Sequence, residues 1–100
     1  MKRRKEQPEI TLDTVVQRDP DQEFSMIDDE VVMLSLKNGE YYSLNYVASS
    51  IWSIINSPIY VKDILNNLLT QFEVDYETCK TQTIHCLVDF YSRSLLLIHD

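Results

Sequence analysis

Glycine is almost absent: the chain has one among 100 residues. Both the dinucleotide fingerprint and the P-loop need several glycines in a short span, so neither phosphate-cradling loop is present. Cysteine is scarce too, with Cys79 and Cys86 alone. They fall seven apart on what reads as one helix, on one face but about 10 Å apart at 1.5 Å rise per residue. That exceeds the Cα separation of roughly 7 Å beyond which a disulfide is implausible. Both thiols are expected to be reduced, which suits a cytoplasmic protein. No apolar run approaches the roughly 20 residues of a membrane-spanning helix. The amino end, "MKRRKEQ", leads into "PEITLD" without an apolar stretch, so it does not read as a secretory signal. Positive charge is the last shortage: nine Lys and Arg stand against sixteen Asp and Glu, a net charge of −7. Beyond the basic tail at residues 1–9 the cations are scattered. An acidic chain without a basic stripe repels phosphate backbones, so neither nucleic acid nor membrane is expected as a partner.

What remains is a hydrophobic content of 44%, enough for one domain with a modest core over residues 10–100. Ile10 to Gln17 reads as a first strand and "RDPDQEF" as a polar loop. Residues 31–36 read as a second strand and Tyr41 to Leu44 as a third, around the single glycine, Gly39. A two-residue turn would set Leu36 opposite Tyr41. A three-residue loop with Gly39 left-handed instead sets Leu34 opposite Tyr42 and Val32 opposite Leu44. The second register is preferred, because it gathers Val32, Leu34, Leu36, Tyr42 and Leu44 on one face.

Asn45 is a good cap for a first helix carrying Val47, Ala48, Ile51, Trp52, Ile54 and Ile55, which "NSP" stops. Val61, Ile64, Leu65, Leu68, Leu69 and Phe72 recur at amphipathic helical spacing. Asp75 caps a longer third helix to about Arg93, with Cys79, Thr83, Cys86, Leu87 and Phe90 on its core face. "LLLI" at 95–98 is a last strand or an extended tail. Three strands followed by three helices describe a winged-helix-like α+β domain.

No active site is legible. His85 and Cys86 are neighbours on a helix, about 100° apart around its axis, and cannot pair as base and nucleophile. His99 reads as exposed, and the histidines and cysteines lack zinc-site spacing. Asp28, Asp29 and Glu30 form an acidic cluster that reads as a solvated loop more readily than a cation site. No cofactor and no metal are expected. The third helix does show a second stripe beside its core face: Thr81, Ile84, Val88 and Tyr91. One reading is a broad buried face. The other is a groove beside the third strand, into which a peptide adding to that strand's edge would drop apolar side chains.

Taken in order, "EVVMLSLKNGEYYSLNYVASSIW" and "VKDILNNLLTQFEVDYETCKTQTIHCLVDFYSRSLLL" resemble the PqqD-like leader-peptide recognition domains, also called RiPP recognition elements. The resemblance spans residues 24–97. It rests on "VVMLSL", Gly39-x-Tyr41-Tyr42, Leu44-Asn45, Ile51-Trp52 and "VDYETC" with Leu87 eight residues after its cysteine. The wording "MLSLKNGEYYSLN" and "DYETC" is most similar to the free-standing leader-binding proteins of lasso-peptide biosynthesis. The resemblance implies a non-catalytic peptide chaperone that binds the leader of a ribosomally made precursor and passes it to a separate cysteine-protease leader peptidase. It also implies a bound leader that forms an extra antiparallel strand. The peptide-binding positions carried over are Glu40, Tyr41, Tyr42, Ser43 and Leu44, with Thr81, Ile84, His85 and Val88 on the third helix. Three residues depart from the family pattern: Tyr60 for a small polar cap, Gln82 for an acid and Ser94 for glycine. The competing readings are a carrier for another peptide-modifying enzyme, quinone-cofactor synthesis included, and a winged-helix transcription regulator. The latter would need a basic recognition helix, and the third helix offers only Lys80 and Arg93.

Overall fold

The computed structural model describes residues 9–35 and 39–99. Apart from Glu9 and Gly39, the basic tail and the Lys37-Asn38-Gly39 loop lie outside them, as does Leu36. Along the chain come β1 (Val15–Arg18), β2 (Phe24–Ile27), β3 (Glu30–Ser35), β4 (Glu40–Ser43), α1 (Tyr46–Ile54), β5 (Ile59–Tyr60), α2 (Val61–Gln71), α3 (Tyr76–Ser92) and β6 (Leu96–His99).

The three-stranded antiparallel sheet followed by three helices is present as β2–β3–β4 and α1–α3. Its membership differs from the expectation. The strand read at Ile10–Gln17 shortens to β1, because Thr11 and Thr14 close a turn ahead of it: the Thr11 N–H donates to Thr14 Oγ1 at 2.8 Å and the Thr14 N–H to the Thr11 carbonyl at 3.1 Å. β1 then lies in a second small antiparallel sheet, between β5 and β6, with Val16 opposite Ile98. "LLLI" is therefore paired strand for most of its length.

The first strand of the main sheet, β2, starts at the last residue of the stretch read as a loop and runs through three residues for which no element was expected. Asp28 and Asp29 both take left-handed backbone, at φ 51° and 67°, and join Ile27 to its partner Glu30 as a two-residue hairpin turn. Aspartate is one of the few residues other than glycine that visits this conformation readily.

The preferred β3–β4 register is one residue off. Val32 pairs with Ser43, Met33 with Tyr42, Leu34 with Tyr41 and Ser35 with Glu40. Gly39 is left-handed as expected, at φ 66°, and its N–H donates to the Ser35 carbonyl at 2.7 Å. Because side chains alternate, the slip exchanges the faces of β3. Val31, Met33 and Ser35 are buried, whereas Leu34 is 36% exposed. On β4 the inward pair stays Tyr42 and Leu44, both packed on the core.

Trp52 centres that core, with Phe24 and Phe90 edge-on at 5.8 Å and 5.6 Å. Arg18 covers Phe24 at 4.7 Å and donates to the Trp52 carbonyl at 2.9 Å, so the two sheets meet over α1. Val61, Ile64, Leu65 and Leu68 of α2 and Cys79, Thr83, Leu87 and Phe90 of α3 complete it. Of the expected α3 core face, Cys86 alone is only partly buried. Asn45 caps α1 by accepting the Ala48 N–H at 2.9 Å, and Asp75 caps α3 by accepting the Thr78 N–H at 3.0 Å. The Thr78 bonds hold the Asp75 carboxyl below the usual carboxylate range. Tyr60 precedes α2 without a side-chain cap.

Candidate functional site

A strand as short as β4 is ended by the helix after it. The buried Ser49 hydroxyl of α1 accepts the Val31 N–H at 2.8 Å and donates to the Leu44 carbonyl at 3.1 Å. It stands where a direct strand-to-strand bond would otherwise close, while the Leu44 N–H still reaches the Val31 carbonyl at 2.9 Å. The chain thus pairs through Leu44 and turns into α1 one residue later.

Val31–Leu44 is therefore a hydrogen-bonded position, and antiparallel ladders alternate. Met33–Tyr42 and Ser35–Glu40 are the next such positions. The backbone N–H and C=O groups of Tyr41 and Ser43 point away from β3. β4 is an edge of its sheet, and among the described residues nothing pairs with that edge. The preferred register would direct the same groups outward, since the parity of β4 is the same in both registers. The Tyr41 side chain is 76% exposed.

The helix residues carried over from the resemblance come together. Thr81, Ile84, His85 and Val88 line one open hollow of about 680 Å³ along α3, with Lys80 and Asp89 among its edges. Ile84 and Val88 are half-buried against the core and form its apolar floor, while Thr81 and His85 are exposed. Tyr91, the last member of the expected stripe, is not among the described residues of this hollow. The positions from Glu40 to Leu44 are not among them either.

The two halves meet instead through a residue the sequence reading did not single out. The Arg93 guanidinium lies 4.6 Å from the Tyr42 ring centroid, and its Nε donates to Asp89 at 3.1 Å. Tyr42 in turn donates its hydroxyl to Glu40 at 3.2 Å. Partial burial opposes charge on Arg93, but bonding to Asp89 and Tyr42 outweighs it and raises its pKa. An Asp–Arg pair at i, i+4 near a helix end was the available signal.

Burial pushes the Cys86 thiol up to about 12, with Asp89 adding to the shift, so it stays protonated at neutral pH. Among the described residues no three His, Cys, Asp or Glu side chains converge as a metal site would need. No described helix is long and apolar enough to cross a membrane.

With this geometry in view, comparison with known proteins is informative. No curated protein matches the chain. Among solved structures, "TbiB1 in Complex with the TbiA(beta) Leader Peptide" is similar, with a TM-score of 0.73 and 29% sequence identity over 80% of this chain and 93% of that one. The family model for coenzyme PQQ synthesis protein D (PqqD) matches residues 30–96, from the start of β3 to the start of β6. Two thirds of the chain, including every element that borders the β4 edge and the α3 hollow, thus carry one family's pattern: this protein belongs to the PqqD family.

Proposed function

We propose that the protein is a non-catalytic recognition element that binds the leader of a ribosomally synthesised precursor peptide as an added strand on β4. The observation that carries this reading is the β4 edge, unpaired among the described residues with Tyr41 and Ser43 directed outward, and joined through Tyr42 and Arg93 to the helix that bears the apolar floor of Ile84 and Val88. Backbone bonds to the edge supply affinity for any extended chain, and alternate side chains on the α3 floor supply selectivity. Glu40 to Leu44 and Thr81, Ile84, His85 and Val88 are the contact residues in this reading. The leader complex of the similar TbiB1 supports it.

In the fuller reading the protein acts in the cytoplasm, in lasso-peptide biosynthesis, and hands the leader to a separate cysteine-protease leader peptidase. The family model's own description favours a second reading, a carrier in quinone-cofactor synthesis. A neighbouring short precursor gene with a protease and an asparagine-synthetase-like cyclase would decide for the first.

The binding test takes the leader of a short precursor gene found in this gene's neighbourhood, labelled with fluorescein and titrated by anisotropy. Ser43→Pro removes one outward N–H while sparing the bonds to β3, a loss of about 1 kcal/mol before steric effects. Val88→Glu sets a charge on the apolar floor. Both should bind at least tenfold more weakly than wild type, and Asn66→Asp on the exposed side of α2 should bind equally well. Equal affinity in all four proteins would overturn the site.

A further inference from the structure

We propose that Arg93 is a positioning residue for peptide binding: it ties the β4 edge to α3 through Tyr42 and Asp89, so that one bound peptide uses the edge and the apolar floor together. The inference rests on the strand-addition reading above.

That reading needs β4 and α3 to act as one surface, and the backbone does not join them. Among the described residues no backbone hydrogen bond runs between the two elements. Side chains make the connection instead. Asp89 lines the α3 hollow and accepts from Arg93 Nε at 3.1 Å. The Arg93 guanidinium lies 4.6 Å from the centroid of the Tyr42 ring. Tyr42 stands between Tyr41 and Ser43, whose backbone groups point outward, and its hydroxyl donates to Glu40. Four side chains thus lead from the hollow to the edge.

Both ends of this tie are fixed. The Arg93 N–H donates to the carbonyls of Asp89 and Phe90, each at 3.2 Å, which anchors the residue at the end of α3. Phe90 is itself buried, edge-on to Trp52. Tyr42 pairs with Met33, which is buried in the core. Arginine suits the joint, because a planar guanidinium stacks on a ring while its Nε–H holds a carboxylate. Lysine has no such plane.

Spacing shows what the tie protects. Tyr42 meets α3 near its carboxyl end, and Val47 shares a hollow with Cys79 near its amino end, so the chain leaving β4 follows α3 backwards. Ile84 and Val88 are four apart on the helix, about 6 Å along its axis. Side chains two apart on an added strand are about 6.6 Å apart. Two side chains of one peptide therefore match the two floor residues, but only while α3 keeps its position along β4. A slide of about 3 Å would set both between their partners. Fixing that position in advance spares the peptide the cost of ordering the two elements itself.

The test selects binders from a displayed library of randomised 20-residue peptides on the immobilised wild-type protein. In each enriched peptide, the floor contact is the residue whose change to alanine weakens binding to wild type about tenfold and matters much less to Val88→Ala. Arg93→Gln should weaken the parent peptides about tenfold and leave their alanine forms within about twofold, so that the preference for the floor residue disappears. Arg93→Lys, a milder change, should fall between Arg93→Gln and wild type. Tyr42→Leu should reproduce the loss, and adding Arg93→Gln to it should cost nothing more; losses that simply multiply would overturn the tie. Urea denaturation reports the folding of each variant separately. Equal weakening of parent and alanine peptides by Arg93→Gln would make Arg93 merely structural and overturn the proposal, as would unchanged affinity for both. Either result leaves the groove reading intact. No peptide that senses Val88, or no enrichment at all, would overturn the groove reading and the positioning role with it.

Discussion

Among the described residues the β2–β3–β4 sheet has two unpaired edges, and they are not equivalent. On β2 the outward backbone groups belong to Phe24 and Met26, because the Ile27–Glu30 pair flanks a two-residue turn and Ser25 faces Val32 across the ladder. On β4 they belong to Tyr41 and Ser43. Both edges are four residues long and solvent-facing. The difference is what stands beside them. The β4 edge is linked through Tyr42 and Arg93 to α3, the helix that carries the Ile84–Val88 floor. An edge alone offers hydrogen bonds to any extended chain; an edge with a floor can also choose among chains.

The register that sets both edges can be broken most severely at β3. Met33→Glu buries a charge at a position 2% exposed and should destabilise the fold by on the order of 3 kcal/mol or more. Leu34→Glu, one residue along on the open face, should change stability by less than about 1 kcal/mol. Urea denaturation of the pair checks this, and the opposite ranking would restore the alternative register. Ser49→Ala comes next. It strands the Val31 N–H and the Leu44 carbonyl, at a cost of about 1–3 kcal/mol, and should loosen the Leu44 end of the edge. Hydrogen exchange at Val31 should accelerate relative to Met33.

Comparing the edges directly needs matched prolines. Ser43→Pro should weaken leader binding at least tenfold, while Met26→Pro, an outward position on β2, should leave it within about twofold. Equal losses would mean that binding does not distinguish the edges. The smallest effect lies at the end of α3 that carries Arg93. There the Leu95 N–H donates to the Phe90 carbonyl and the Ser94 N–H to the Tyr91 carbonyl, closing the helix with Ser94 left-handed at φ 62°. Ser94→Gly relieves that conformation and should stabilise by up to about 1 kcal/mol, seen as a small rise in Tm with leader affinity unchanged.

The helices were legible because caps and periodicity agree: Asn45, Asp75 and the α2 apolar repeat each fall where the structure has them. The register was not, because "VVMLSL" is apolar at both parities and an alternating pattern cannot choose between its two faces. Serine at position 35, buried against expectation, was the one polar residue in that run and pointed the wrong way. β2 was missed because most of it is exposed and its turn is made by aspartates where glycine or asparagine is the stronger signal. β5 is two residues long and follows a proline, which leaves no pattern to read. At the site, Ile84 and Val88 were visible as a stripe, but Arg93 was not. Its role depends on a tyrosine fifty-one positions earlier in the chain.

The single tryptophan gives every one of these experiments an internal light source. Enclosed by Phe24, Phe90 and Arg18 and fully buried, the Trp52 indole should emit at short wavelength in the folded protein and shift to the red only when the core opens. It is wholly buried, whereas the Tyr41 ring on the β4 edge is exposed, so a ligand on that edge should leave its colour unchanged. A variant that no longer binds yet keeps the blue emission has lost a contact; one that turns red has lost its fold.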